Sequence, residues 1–214
     1  MRTQRILDAV RIDIDDYLSR NPIHHNARSG AMDEAQTRRL VIAKFQALQA
    51  ETTSYGLLVQ RYRDPVPVGY FSHVIHRLTA SYPYLDQAAR ALGLDPAELP
   101  RQPVHASLRR LAEWLAWVGL YAGAGEAALA VRVDFGVWGS LTGALADALR
   151  ELDAPQPVIE FLEFESAVPQ EITDGAVPVV EYGLAHGEDP SSITRSALEV
   201  VSVQGPAWEY VREG

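Results

Sequence analysis

The chain has 214 residues, of which 47% are hydrophobic and 22% are charged, and these proportions are typical of a soluble globular protein with one sizeable core. It contains no cysteine, which excludes disulfides, thiolate metal sites and cysteine nucleophiles. No apolar run approaches the roughly 18 residues that can span a membrane, and the N-terminal segment lacks a signal-peptide core. We therefore expect a cytoplasmic protein with no membrane partner.

The formal net charge of −9 argues against binding to nucleic-acid phosphates. The charge is uneven, because the chain from residue 151 onward holds 13 acidic residues and only two basic ones, Arg195 and Arg212. The first 150 residues hold 15 acidic and 17 basic residues. An acidic stretch of this kind is usually a solvated surface, and the alternative is that the C-terminal third docks a protein partner.

Hydrophobic spacing and proline or glycine breaks predict eight helical segments. In chain order they cover residues 3–20, 33–62, 69–93, 103–122, 126–152, 157–166, 169–184 and 189–210. Residues 21–30 are predicted as a polar loop that contains the adjacent histidines His24 and His25. With no hairpin series and no repeat, the pattern predicts an all-α, single-domain bundle of about seven to eight helices over residues 1–214.

Three details of this pattern leave room for alternatives. Pro83 lies inside the third segment and should kink it or divide it in two. The apolar alternation in 158–166 also suits a strand. Gly205-Pro206 should interrupt the last segment.

The chain lacks a phosphate-binding glycine loop, the metalloprotease HExxH and the hydrolase GxSxG motif, so candidate site residues are polar groups on faces predicted to be inward. His73 and His76 lie three apart on the third segment, and imidazole suits iron, zinc or proton transfer. A histidine on such a face is more often a satisfied core residue. Of the two, His76 is the better candidate.

Further candidates lie on the second, fifth and sixth segments. Asp134 has apolar neighbours in AVRVDFGVW, so a buried carboxylate there needs a partner, either Arg132 or a bound group. Lys44 and Glu51 lie seven apart on one helix face, where they form either part of a site or a surface ion pair. One of three acids in the sixth segment could face inward; these are Glu160, Glu163 and Glu165.

Several stretches of the chain resemble the TenA/PqqC-like proteins of the haem-oxygenase-like superfamily. They are NPIHHNARSGAMDEAQTRRLVIAKFQALQ, SYPYLDQAARALGLD, GEAALAVRVDFGVWGSLTGAL and the closing AWEYVREG. The resemblance implies an all-helical bundle with a central pocket for a small organic molecule, in a chain that forms a homo-oligomer such as a homodimer.

The departures from this family concern its catalytic positions. Thiaminase-II members use an aspartate on the second helix, a cysteine on the fifth and a glutamate on the last. The corresponding positions here are Lys44, a position near Asp134, and Gln204. Because the chain has no cysteine, the resemblance does not extend to thiaminase-type nucleophilic catalysis.

The superfamily's di-iron oxidases use Glu-x6-His on the third helix, an acid on the fifth and His-x3-Asp on the sixth. These sets map here onto His76 with Pro83, Asp134, and Glu165 with Pro169, from which a two-iron site cannot be built. A reduced set of His76, Asp134 and an acid such as Glu165 would suit one iron. The cofactor is unknown, with iron as the candidate, and no haem is expected because no histidine occupies a suitable first-helix position.

We therefore expect a small-molecule biosynthetic enzyme with an oxidase-type or oxygenase-type reaction, either metal-assisted or cofactorless. The alternatives are a catalytically degenerate binding or regulatory protein of the same fold and a structural partner subunit. His76 would be metal ligand or base, Lys44 would pair with an acidic substrate, and a tyrosine, Tyr82 or Tyr84, would donate a proton or form the pocket wall. The expected substrate-binding residues are Asp134, Trp138, Glu51 and Gln204.

Overall fold

The computed structural model describes residues 2–213, which form twelve α-helices and one 3₁₀ turn, with no strand among the described residues. The helices are α1 (Arg2–Ala9), α2 (Ile14–Arg20), α3 (Pro22–Arg28), α4 (Glu34–Arg61), α5 (Pro65–Thr79), α6 (Tyr82–Ala91), α7 (Ala106–Tyr121), α8 (Ala124–Glu151), α9 (Gln156–Ser166), α10 (Gln170–Thr173), α11 (Ala176–Ala185) and α12 (Pro190–Arg212), and the 3₁₀ turn is Leu99–Arg101. Eight of these helices have ten or more residues, so the all-α bundle is confirmed. None of the helices in residues 2–213 is both long enough and apolar enough to cross a membrane.

Two helices of 28 residues, α4 and α8, form the centre of the bundle. The α8 helix packs against α9, α11 and α12, and α4 packs against α5, α7 and α12. Because α8 has neighbours on several sides, its sequence is apolar almost all round, as expected for a buried helix.

Both central helices begin at well-satisfied N-termini. At α4 the Asp33 side chain accepts the backbone N–H of Gln36, and the Gln36 side chain accepts the backbone N–H of Asp33, which is a capping box. At α8 the Glu188 carboxylate accepts the backbone N–H groups of Gly125 and Glu126 at 3.1 and 3.0 Å. These anionic partners satisfy otherwise free donors and fix where each helix starts.

The N-terminal region differs from the sequence-based prediction. The predicted helix over 3–20 is two helices, α1 and α2, because Asp13 caps a new helix by accepting the backbone N–H of Asp16. The predicted loop over 21–30 contains α3, which Asn21 caps by accepting the N–H groups of Ile23 and His24. Asn-Pro is therefore a helix start here as well as a helix end.

Proline and glycine also divide the middle and C-terminal segments. The predicted 69–93 segment starts earlier, at Pro65, and divides after Thr79, with Pro83 in the first turn of α6. The predicted 169–184 helix is likewise two helices, α10 and α11, separated at Gly175. A Cβ at Gly175 would lie 2.1 Å from the carbonyl oxygen of Glu171.

Two alternatives for the C-terminal third are now decided. The 158–166 stretch is helical in α9, so the strand alternative is wrong. The predicted interruption at Gly205-Pro206 is also wrong, because α12 continues through Pro206. The residues on either side of Pro206 include Gln204, Ala207 and Trp208, whose burial against α4, α7 and α8 holds the helix together despite the missing backbone donor.

Candidate functional site

A cavity of about 350 Å³ lies between α4, α7, α8 and α12, within the size range of small-molecule sites. Most of its wall is apolar and comes from α4 and α7, with Trp138 of α8 and Trp208 of α12 completing it. The two indoles stack with ring centroids 5.6 Å apart and planes 10° apart. The polar side chains at the cavity include Lys44, Gln46, Glu51, Asp134 and Gln204.

Lys44 is buried and lies between two carboxylates. Its Nζ is 3.3 Å from Glu51 Oε2 and 3.3 Å from Glu165 Oε2, and it lies 4.8 Å from the centroid of the Trp138 ring. Burial alone would lower the pKa of the Lys44 ammonium, but Glu165, Glu51 and Asp134 together raise it above its ordinary value. Lys44 is therefore a charged, already paired group, and its geometry does not support the predicted pairing with an acidic substrate.

Glu165 is the one acid of the sixth predicted segment that faces inward, whereas Glu160 and Glu163 are exposed. Its carboxylate accepts hydrogen bonds from Ser81 Oγ and, at 2.5 Å, from Trp138 Nε1. Burial opposes ionisation of Glu165, but Lys44 and these donors outweigh it and hold its pKa below the usual value.

Arg77 supports Glu165 from the far side of the cavity wall. Its Nη1 lies 3.9 Å from Glu165 Oε1, and its Nη2 donates to the carbonyl oxygen of Phe164 at 2.6 Å. The guanidinium also lies 3.8 Å from the centroid of the Phe164 ring. Glu165 is thus an anchored anion that positions Lys44 and the Trp138 indole.

Asp134 is 8% exposed and lies on the cavity wall with a single side-chain hydrogen bond. Gln204 Nε2 donates to its Oδ1 at 2.5 Å. Burial, together with the charge of Glu51, raises the pKa of Asp134 to about 7, against the opposing effects of Lys44 and Gln204. Its predicted partner Arg132 instead donates to the carbonyl oxygen of Thr173.

Glu51 shares Lys44 with Glu165, and burial raises its pKa although Lys44 opposes the shift. Asp134 and Glu51 are therefore two carboxyl groups at one cavity whose pKa values burial raises. With its pKa at about 7, Asp134 can exchange protons with a bound molecule near neutral pH.

Two buried acceptors at the cavity have no partner among the described residues. They are Oε1 of Gln46 and Oε1 of Gln204, and both side chains line the cavity. Gln46 Nε2 donates to the carbonyl oxygen of Pro103 at 3.3 Å. Because a carbonyl oxygen can only accept, this bond fixes which end of the Gln46 amide remains free. Unpaired buried acceptors are costly unless something donates to them.

The predicted catalytic residues of the third segment do not reach this cavity. His76 is exposed on α5, so the prediction that it faces the interior is wrong. The buried stripe of α5 runs through Tyr70, Phe71, Val74, Arg77 and Leu78, and His76 falls beside it. Taking Ile75 as part of the stripe shifted the predicted face by one residue, and one residue is about 100° around a helix.

Tyr82 and Tyr84 also lie elsewhere. Tyr82 packs edge-on against Phe45, with centroids 6.1 Å apart, and Tyr84 is 38% exposed and stacks on Phe164 at 4.2 Å. Neither tyrosine lines the cavity, so the predicted proton-donor role has no geometric support.

The predicted iron ligands are not brought together. Within residues 2–213, no group of three or more His, Cys, Asp or Glu residues is placed to hold a metal ion. His76 faces outward, and Glu165 is committed to Lys44, Ser81 and Trp138. The prediction that His76, Asp134 and Glu165 together bind iron therefore does not fit the positions of these side chains.

In contrast, the structure gathers the other predicted residues around one cavity: Lys44, Glu51, Asp134, Trp138 and Gln204. That they bind a substrate stays a prediction. The site residues predicted from the sequence did not include Gln46, Arg77 and Ser81. Arg77 could have been found by continuing the apolar stripe from Val74 by three residues, whereas Ser81 lies at the helix junction that Pro83 predicts, where helical periodicity does not indicate which way a side chain faces.

Comparison with solved structures supports the expected fold. A TenA homologue from Pseudomonas syringae pv. tomato superposes with a TM-score of 0.78 at 11% identity, covering 99% of this chain and 92% of that one. A TenA homologue from P. horikoshii gives 0.74 at 13% identity over 98% and 99% of the chains. A TenA family transcription regulator from Silicibacter gives 0.76 at 9% identity over 100% and 97%.

No protein-family model matches the sequence, and no curated protein matches it significantly. At these identities the structural matches establish the fold alone, which is the helical fold of the TenA homologues. The resemblance drawn from the sequence is thereby confirmed at the level of fold.

Proposed function

We propose that the chain is a small-molecule enzyme that works in the cavity between α4, α7, α8 and α12, with Asp134 as its general acid or base. The observation that carries this proposal is a buried carboxyl group with one amide partner, set in the wall of a largely apolar cavity. A carboxyl group whose pKa lies near 7 is suited to proton transfer at neutral pH.

Such a proton transfer is compatible with a cofactorless oxidation. The ionised Asp134 would take a proton from a carbon of the substrate that carries a hydroxyl or amino group. The carbanion would then pass two electrons to molecular oxygen, which would leave as hydrogen peroxide with the proton from Asp134 and the proton lost by the hydroxyl or amino group, and a C=O or C=N bond would form. The aromatic and aliphatic cavity wall would keep water away from the carbanion. In this proposal Lys44 and Glu165 position the site, because their charges are already paired with each other.

The second candidate is a binding or regulatory protein without catalysis. The pairing of Lys44 with Glu51 and Glu165 favours it, because these charges are already engaged by one another. One structural relative is described as a transcription regulator. The net charge of −9 favours regulation through a small ligand or a protein over direct contact with DNA phosphates.

Screening a metabolite library in air separates the two candidates. Conversion is followed by mass spectrometry and oxygen uptake by an electrode. We expect the wild type to convert at least one compound, and Asp134→Asn to lower kcat, measured at saturating concentrations of that compound, by about 10²–10⁴-fold. His76→Ala, a change at an exposed histidine, should leave kcat unchanged.

Two other outcomes would overturn the enzyme proposal. Binding without conversion by the wild type would leave the binding protein as the better description. Equal kcat values for the wild type and Asp134→Asn would remove Asp134 from the chemistry. Conversion without oxygen uptake would keep the enzyme and exclude the oxidative reaction.

A further inference from the structure

The buried polar cluster at one end of the cavity contains more carboxyl groups than cations. Lys44, Glu51 and Asp134 line the cavity, and Glu165 and Arg77 lie behind this wall. Three carboxyl groups, on Glu51, Asp134 and Glu165, face two cations, on Lys44 and Arg77. Glu165 contacts both cations, and Glu51 contacts Lys44. Among the described residues, Asp134 has no cationic nitrogen within 4.0 Å and relies on the neutral amide of Gln204. One positive charge is missing if all three carboxyl groups are ionised.

The free acceptors at the cavity point to the same kind of group. Gln204 is 4% exposed and Gln46 is 9% exposed, and the carbonyl oxygen of each lacks a donor. The Nε1 of Trp208, also at the cavity, lacks an acceptor, but this indole lies towards the Tyr17 hydroxyl. A bound group that carries positive charge and several N–H donors would satisfy Asp134 and the two amide oxygens together.

An anionic ligand fits this end poorly. Its charge would face Asp134 and Glu51, and Lys44 already lies 3.3 Å from two carboxylates. The apolar walls from α4 and α7 and the stacked indoles of Trp138 and Trp208 suit the organic part of a ligand, which a bare inorganic cation does not have.

We propose that the cavity binds an organic cation with N–H donors, such as a protonated amine or an amidinium, and that its charged nitrogen pairs with Asp134. This inference rests on the proposed small-molecule site and specifies the class of its ligand. The charged nitrogen supplies the missing positive charge, and the remaining N–H groups donate to the amide oxygens of Gln204 and Gln46.

Pairing with a cation should change the protonation of Asp134. Burial keeps Asp134 largely protonated below about pH 7, whereas a cation beside it favours the ionised form. Binding at pH 6 should therefore release a proton. The titratable groups that face Asp134 are Tyr17 of α2, Lys44, Glu51 and Tyr55 of α4, and Glu165 of α9, while α12 contributes the uncharged Gln204.

The test uses matched probes that differ in charge: benzamidine and phenethylamine as cations, benzamide and 2-phenylethanol as neutral analogues, and benzoate and 3-phenylpropionate as anions. Affinities are measured by titration calorimetry and ligand-observed NMR at pH 8. We expect the cations to bind at least about tenfold more tightly than the neutral analogues, and the anions to bind weakest.

Two substitutions that each remove one carboxylate are compared, and the second of them is the control. Asp134→Asn should reduce the affinity for the cations about tenfold or more and leave the neutral probes unaffected. Glu163→Gln removes an exposed carboxylate on α9 and should change nothing. In the wild type at pH 6, calorimetry in two buffers should show release of up to about one proton per cation bound, and Asp134→Asn should abolish it.

The experiment also distinguishes a wrong ligand class from a wrong location of the ligand site. Ala116→Trp places an indole on an exposed position of α7 that lines the cavity, so it should block the cavity without disturbing the core. If neutral or anionic probes bind as tightly as the cations and Ala116→Trp removes that binding, the cavity stands and the cation inference is overturned. If no probe binds, or binding survives Ala116→Trp, both are overturned.

Discussion

At the scale of single residues, the charged groups around the cavity differ in the number of partners that stabilise them. Lys44 and Glu165 stabilise each other as ions, and Trp138, Ser81 and Arg77 add contacts to Glu165. Asp134 has only Gln204 as a hydrogen-bond partner. A buried ion without a counter-ion destabilises the fold, so Asp134 takes up a proton more readily than an ordinary aspartate.

This raised pKa predicts how stability depends on pH. Between about pH 4 and 7 the native state holds a proton on Asp134 that the unfolded chain has lost, since the ordinary value is 3.8 and the native value about 7. The native state binds more protons, so the contribution of Asp134 to stability is present below about pH 4 and is lost as the pH rises through 7. Asp134→Asn removes this dependence.

Urea unfolding at several pH values measures the effect. Relative to the wild type, we expect the free energy of unfolding of Asp134→Asn to rise by about 2–4 kcal/mol between pH 4 and 8, since each pKa unit corresponds to about 1.4 kcal/mol. Asp147→Asn changes the same residue type at an exposed position of the same helix and should show little pH-dependent difference. A flat difference for Asp134→Asn would mean that its native pKa is ordinary.

At the scale of elements, α7 approaches α4 closely at one point beside the cavity. A Cβ at Gly119 of α7 would lie 2.6 Å from the backbone carbonyl oxygen of Ser54 of α4. Backbone atoms cannot move aside as a flexible side chain can, so the two helices are in contact at this point. The residues of α7 that line the cavity lie one to three turns away along the same helix.

Gly119→Ala should therefore separate α7 from α4 and destabilise the protein by about 1–3 kcal/mol, as overpacking does. Gly56→Ala on α4 is the matched control, because nothing lies within 4 Å of its Cβ position. That substitution should stabilise the helix by about 0.5–1 kcal/mol. Thermal and urea unfolding of both variants check the prediction, which fails if Gly119→Ala is as stable as Gly56→Ala.

At the scale of the whole molecule, the sequence predicted features that depend on one helix better than features that depend on several. The fifth segment was predicted over 126–152 and is observed as Ala124–Glu151, because continuous apolar spacing and a flanking glycine define it locally. Lys44 and Glu51 were placed on one face by their spacing alone. The pairing of Lys44 with Glu165 depends on how α4 and α9 are arranged, which periodicity does not encode.

The errors have the same origin. His76 was placed inward by a stripe shifted by one residue, and the true stripe is defined by the packing of α5 on α4 and α11. Pro206 was expected to break α12, yet buried neighbours on both sides keep the helix continuous. In each case tertiary contacts outweighed the local signal.

The distribution of charge along the chain supports a prediction about assembly. The acidic C-terminal third and the slightly basic first 150 residues differ in charge, so exposed acidic side chains of one copy can pair with exposed basic side chains of another. Contacts between exposed charges weaken with salt, because the screening length falls from about 30 Å at 0.01 M to about 8 Å at 0.15 M. We therefore expect a homo-oligomer that dissociates as the salt concentration rises.

Light scattering coupled to size-exclusion chromatography, at about 0.05 M and 0.5 M NaCl, measures the molar mass of the assembly directly. Glu181→Lys reverses an exposed charge on α11 in the acidic third, and Glu113→Lys makes the same net change on α7 in the basic part. Glu181→Lys should weaken assembly at low salt, and Glu113→Lys should leave it unchanged or strengthen it. A monomer at both salt concentrations would exclude assembly, and an oligomer that is insensitive to salt and to both substitutions would exclude its charge-based origin.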